Sequence, residues 1–188
     1  LLRLSKNQAV DLKPLKDLKN LQSLDLAENQ ISDLSPLAGL KGLQYLELSR
    51  NQIVDLAPLS GLTDLTALYL GGNKIQNIDP LASLTRLASL SLGGNQIKNA
   101  GPIEKLTKLS TLDLRDNLIE DVRPLTKQPD LKLLMIDRNQ IKDLTPLIEA
   151  AKAAAAGAKL FAPYLRIHLD GNPLPEAARA SQLESLKA

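Results

Sequence analysis

Seven asparagines, Asn7, Asn29, Asn51, Asn73, Asn95, Asn117 and Asn139, stand 22 residues apart, and an eighth, Asn172, follows after 33. Seven prolines, Pro14, Pro36, Pro58, Pro80, Pro102, Pro124 and Pro146, keep the same step. A period this strict limits the chain to an array of one small unit, stacked so that neighbours share a core none could enclose alone. The unit around Asn29 reads Leu18-x-x-Leu21-x-x-Leu24-x-Leu26-x-x-Asn29-x-Ile31-x-Asp33-Leu34-x-Pro36-Leu37. Leu24-x-Leu26 alternates at period two, which predicts a short strand with both leucines turned inward. The next such strand comes a full crossover later, so successive strands must run parallel. The Asn29 amide both donates and accepts, which suits it to satisfy backbone groups shut away from water in the turn. Asp33 can bond the backbone two residues on, Pro36 fixes the turn that follows, and Leu37 and Leu40 share one face of a single helical turn.

The Leu-x-x-Leu-x-Leu-x-x-Asn-x-Ile core is the leucine-rich-repeat signature. The expected fold is therefore an α/β repeat: a leucine-rich-repeat solenoid with a curved parallel β-sheet on the concave face and short turns or 3₁₀ pieces on the convex face. About six Leu or Ile per repeat should be buried, each contributing roughly 1.5–3 kcal/mol before entropy is counted. Composition agrees, since 44% of residues are hydrophobic but only 2% aromatic, so the interior must be regular and aliphatic. Lys+Arg 23 against Asp+Glu 21 offers no concentrated basic face for nucleic acid. With no Cys and one His, thiolate zinc sites, disulfides and His-rich metal centres are excluded. No apolar run is long enough to span a membrane. No cofactor is expected.

Both ends depart from the pattern. The chain opens in mid-repeat at Leu2-Arg3-Leu4 and reads as a piece of something longer; either a cap precedes it, or Lys6, Lys13, Lys16 and Lys19 partly cover that edge. The near-perfect period would equally suit a consensus-designed array. After Pro146 an Ala-rich run extends to Gly157, and the 11 extra residues before Asn172 predict about three helical turns near 146–160. Thr145 is expected to cap that helix and Gly157 to end or weaken it. Residues 1–147 are read as seven repeats, the first truncated. Residues 148–188 are read as an eighth with the helical insertion and, over 175–188, a C-terminal capping helix of the same solenoid.

Asn29-Gln30-Ile31-Ser32-Asp33-Leu34-Ser35-Pro36-Leu37, matched closely at 51–59 and 139–147, resembles the internalin type of bacterial leucine-rich repeat. The resemblance spans roughly 1–147, with a variant repeat to 174. It implies a bacterial binding module, exported or at the cell surface, that holds a protein partner against the concave sheet. The Ala-rich insertion departs from that family.

Side chains beside the strand leucines point out on the concave face, and they vary while core and turn positions do not. One column runs Arg3, Asp25, Glu47, Tyr69, Ser91, Asp113, Met135, His168; another runs through Tyr45, Ser89, Leu133 and Arg166; a third through Ser49, Gly71, Gly93, Arg115, Asp137 and Asp170. Variation on one face of a constant scaffold is how a repeat protein builds a recognition surface. The candidate contact residues are Tyr45, Glu47, Tyr69, Ser91, Asp113, Arg115, Met135, Asp137, Arg166 and His168. Tyr45 and Tyr69 should meet diagonally across adjacent strands, beside a nearly bare saddle at Gly71-Gly72 and Gly93-Gly94. His168 near Asp170 lacks a nucleophile, because Ser89 and Ser91 lie about three strands away, so no catalytic residue is assigned. Arg115 and Arg138 lie among Asp113, Asp116, Asp137 and Asp170 and should pair with them, so no metal site is assigned. The reading is a non-catalytic, monomeric protein-binding module; the alternative is a spacer or intramolecular scaffold of a larger bacterial protein.

Overall fold

The computed structural model describes residues 1–176. The expected capping helix over 175–188 falls almost wholly outside them. Eight strands, β1 (Leu2–Arg3), β2 (Ser23–Asp25), β3 (Tyr45–Glu47), β4 (Ala67–Tyr69), β5 (Ser89–Ser91), β6 (Thr111–Asp113), β7 (Leu133–Met135) and β8 (Arg166–His168), form one open sheet in sequence order. Every pair is parallel and in register with the period: Leu24 lies beside Leu46, Leu46 beside Leu68, and Leu134 beside Ile167. The expected solenoid is thus the observed one.

The core is one continuous aliphatic column. In the third repeat Leu46, Leu48, Ile53, Leu56, Leu59, Leu62 and Leu65 are all buried, seven where about six were expected. The asparagines knit the repeats together. Asn51 Oδ1 accepts the Ile31 N–H at 3.0 Å, and its Nδ2 donates to the Leu26 carbonyl of the preceding repeat and the Leu48 carbonyl of its own, both at 3.0 Å. The same set recurs at Asn73, Asn95 and Asn117. Asn172 sustains it across the insertion, bonding Ile136 and Leu169 carbonyls. The residue before each of the eight asparagines, Lys6, Glu28, Arg50, Gly72, Gly94, Asp116, Arg138 and Gly171, has positive φ, between 51° and 73°. This left-handed step turns the Asn side chain under the strand.

On the convex side the 3₁₀ turns Lys13–Leu15, Ser35–Leu37, Ala57–Leu59, Asp79–Ser83, Gly101–Lys105 and Arg123–Leu125 each carry Pro in the first two positions. Asp11, Asp33, Asp55 and Asp121, with Asn77 and Asn99 in the same place, accept the N–H two residues on at 2.8–2.9 Å. In the seventh repeat this turn grows into helix α1 (Thr145–Ala155). The helix is shorter than 146–160. Thr145 is its first residue rather than its cap, Leu144 holds the cap position with no side-chain cap bond, and Asp143 Oδ1 accepts both the N–H and the Oγ1–H of Thr145. Leu147, Ile148 and Ala150 are buried, whereas Ala155 is exposed and Gly157 turns the chain at φ 104°. Leu160 lies beyond the helix, its carbonyl accepting the Gln128 N–H. At the other end Leu1 and Leu18 stay 74% and 43% exposed, so the neighbouring lysines do not seal the first repeat.

Candidate concave recognition surface

Strand register fixes the concave columns. Tyr45 pairs with Ala67 and Glu47 with Tyr69, so the two tyrosines meet on the diagonal, their ring centroids 5.5 Å apart and tilted by 48°. Such a tilted pair is favoured by the quadrupoles of the rings. Tyr45 is 36% exposed and Tyr69 half-buried. Burial, reinforced by the Glu47 carboxylate, pushes the Tyr45 hydroxyl above its ordinary range, so it remains a donor at neutral pH. Tyr69 leans towards Ser89, whose Oγ–H lies 3.3 Å from its hydroxyl oxygen. That lean carries the ring away from the Gly71 column.

Ser91, Asp113 and Arg115 form a second group. Asp113 is buried and takes Arg115 Nε and Nη2 at 2.9 Å each, in the forked geometry that suits guanidinium and carboxylate. These bonds raise the Arg115 guanidinium above its usual value. Ser91 Oγ donates to the same carboxylate at 3.3 Å. Arg138 likewise clamps Asp116, at 2.5 and 2.7 Å, and holds that carboxyl below the ordinary range. The expected pairing with arginine is observed for Asp113 and Asp116, whereas Asp137 and Asp170 make no arginine pair among the described residues. Among the described residues no group of three or more His, Asp and Glu is placed to hold a metal ion.

The second group borders an open cleft of about 450 Å³. Its floor is Gly71, Gly72, Gly93 and Gly94, and Ser49, Arg50, Ser91 and Arg115 stand around it. Only the second glycine of each pair takes the left-handed turn. The first is bare for a different reason: a Cβ on Gly93 would come within 3.1 Å of Asp113 Oδ1, and one on Gly71 within 3.3 Å of the Gly93 carbonyl. Sequence reasoning located the saddle but missed Ser49 and Arg50, which the column position of Ser49 could have revealed.

The remaining candidates lie apart from the cleft. Met135 pairs in register with His168 and Leu133 with Arg166, on β7 and β8, where Arg166 and His168 are exposed. Asp137 is buried and accepts the Asp170 N–H at 3.1 Å, which commits it to the scaffold. His168 is three strands from Ser91 in the sheet order.

Family models for leucine-rich repeats match residues 1–53, and, as two-copy units, 41–83 and 85–127. No curated protein matches by sequence. Among solved structures the chain is similar to internalin C2 of Listeria monocytogenes, at 40% identity over 88% of this chain and 69% of that one, with a TM-score of 0.79. It is also similar to an internalin (inlF) of the same organism, 32% identical over 97% of this chain and 51% of that one, TM-score 0.80. A leucine-rich-repeat protein of Leptospira interrogans follows at 26% identity, 99% and 41% coverage, and TM-score 0.71. The chain thus spans about half the length of the second.

Proposed function

The chain belongs to the leucine-rich-repeat family, of the internalin type, and from that premise we propose that it is a non-catalytic protein-binding module whose recognition surface is the concave sheet. Repeats 1–147 and the variant repeat from 148 onward act together as one such module. The observation that carries this reading is the Tyr45–Tyr69 pair, placed on the sheet beside the glycine-floored cleft. Interface hot spots are enriched in tyrosine, and here two rigid rings pair on the concave sheet, Tyr69 standing two residues before Gly71 of the cleft floor. The convex face repeats nearly the same Asp-Leu-x-Pro-Leu turn and offers little to tell one partner from another. The test is affinity capture from bacterial and host extracts with the intact chain and with Tyr45→Ala/Tyr69→Ala. A partner held by the first and lost by the second, with both equally folded, supports the reading. Equal capture by both overturns it.

A further inference from the structure

Resting on that reading of the concave face, we propose that the cleft above Gly71 receives a carboxylate side chain, Asp or Glu, of the protein partner. The chain itself supplies the template. Two residues before the Gly71 column, three repeats carry an acid, and each acid folds over the backbone N–H that follows it. Asp25 takes the Ala27 N–H at 3.1 Å, Glu47 the Ser49 N–H at 2.8 Å, and Asp113 the Arg115 N–H at 3.1 Å. In the fourth repeat the acid is replaced by Tyr69, which leans the other way to Ser89. Among the described residues the Gly71 N–H donates no hydrogen bond. The donor that the chain caps with its own carboxylate one strand away is here left to solvent.

The surroundings favour the same occupant. A Cβ on Gly71 would lie 3.7 Å from Ser49 Oγ and 3.6 Å from Ser91 Oγ, with the Gly93 carbonyl at 3.3 Å, so two hydroxyls flank that glycine and an occupying carboxylate must sit on their side, away from the carbonyl. Around the cleft stand Arg50, Arg115 and Arg138 against Asp113 and Asp116, one positive charge in excess. Arg115 and Arg138 are consumed by their forked pairs. Arg50 is not: its side chain is 74% exposed and its ion-pair partner, Glu28, is 3.7 Å away. With the Ser91 hydroxyl already given to Asp113, a backbone N–H, the Ser49 hydroxyl and a loosely held guanidinium make a charge-assisted cradle for a carboxylate, and a neutral amide would use less of it. Gly93 has an equally open N–H, but Asp113 lies against it and repels a second carboxylate.

The experiment titrates ¹⁵N-labelled protein with N-acetyl-glutamic acid amide, and in parallel with N-acetyl-glutamine amide, following the glycine amides by NMR. The expected result is a saturable downfield shift of the Gly71 amide with the acid only, no response at Gly39 and Gly61 on the far side, and loss of the Gly71 response in Arg50→Gln. Tyr69→Glu, which restores the acid found at position 47, should move the Gly71 amide downfield without any probe and abolish its response. Should that variant fold poorly, Tyr69→Gln and the unmodified protein still carry the comparison. Equal shifts with both probes, a response spread evenly over all the glycines, or none at Gly71 overturns the proposal. A silent Gly71 with capture still dependent on the tyrosines removes this inference alone. A responsive Gly71 with tyrosine-independent capture removes the wider reading instead.

Discussion

Asn117 Oδ1 accepts the Ile97 backbone N–H at 3.0 Å, tying one repeat to the turn of the one before it. Its Nδ2 closes the Leu92 and Leu114 carbonyls at 3.0 and 3.1 Å, and the residue is 4% exposed. Asn117→Ala leaves the Ile97 N–H buried without a partner, at about 1–3 kcal/mol before relaxation, while the Leu92 and Leu114 carbonyls each keep one bond, from Asn95 and Asn139 Nδ2. The expected outcome is a clear fall in the urea midpoint with the concave face chemically unchanged. An unaltered midpoint would mean water already serves that N–H.

The left-handed step before each asparagine gives a second expectation. Gly94 sits at φ 69°, and a Cβ there would also approach the Gly72 nitrogen to 3.4 Å. Gly94→Ala should cost about 1–2 kcal/mol. Arg50 holds the same conformation at φ 57° with a side chain already in place. For Arg50→Gly, relief of the left-handed strain and the greater freedom of the unfolded glycine oppose each other, so stability should change by less than about 1 kcal/mol. Paired thermal melts check the contrast, which similar losses in both variants would refute.

Much of the architecture was legible because a period fixes register: once Tyr45 and Tyr69 are 24 residues apart in a 22-residue repeat, their diagonal contact follows. The left-handed step was not legible, since only Gly72, Gly94 and Gly171 of its eight occupants advertise it. The extent of α1 was misjudged because alanines carry no side chain that says where a helix stops being covered. The open Gly71 N–H had a faint signal, the acid two residues upstream in repeats two, three and six, but its meaning depends on how those carboxylates fold back.

Gln128 stands where Leu40, Leu62, Leu84 and Leu106 fill the other repeats, a break in pattern the periodic reading passed over. It is fully buried; its Nε2 donates to the Ile103 carbonyl at 3.1 Å, but its Oε1 has no partner. Gln128→Leu exchanges one modest hydrogen bond for relief of a buried unpaired oxygen, so stability should hold or rise by about 1 kcal/mol. A loss above about 2 kcal/mol in chemical denaturation would show that a bound water completes the amide.

The Arg138–Asp116 fork predicts a pH dependence. Asp116 has its folded pKa lowered, chiefly by the hydrogen bond from Arg138. The pair therefore contributes stability that is full above the ordinary carboxylate range and is lost as pH falls through the depressed folded value. Because both groups are largely exposed the contribution is small. An NMR titration should place the Asp116 carboxyl below an ordinary aspartate, and Arg138→Gln should return it there. An unshifted Asp116 in the unmodified protein would contradict the fork in solution.

The central claim, that the variable concave columns do the recognising, is tested most directly by calorimetric titration of a captured partner into two folded double variants. Truncating an interface hot spot costs at least about 2 kcal/mol, near 30-fold in affinity, whereas an exposed residue outside it stays within about 0.5 kcal/mol. Tyr45→Ala/Tyr69→Ala should therefore weaken binding by roughly 30-fold or more, and Lys105→Ala/Lys127→Ala on the convex side by no more than about twofold. Binding that survives the tyrosine pair and fails with the lysine pair would contradict the account and place recognition on the convex flank.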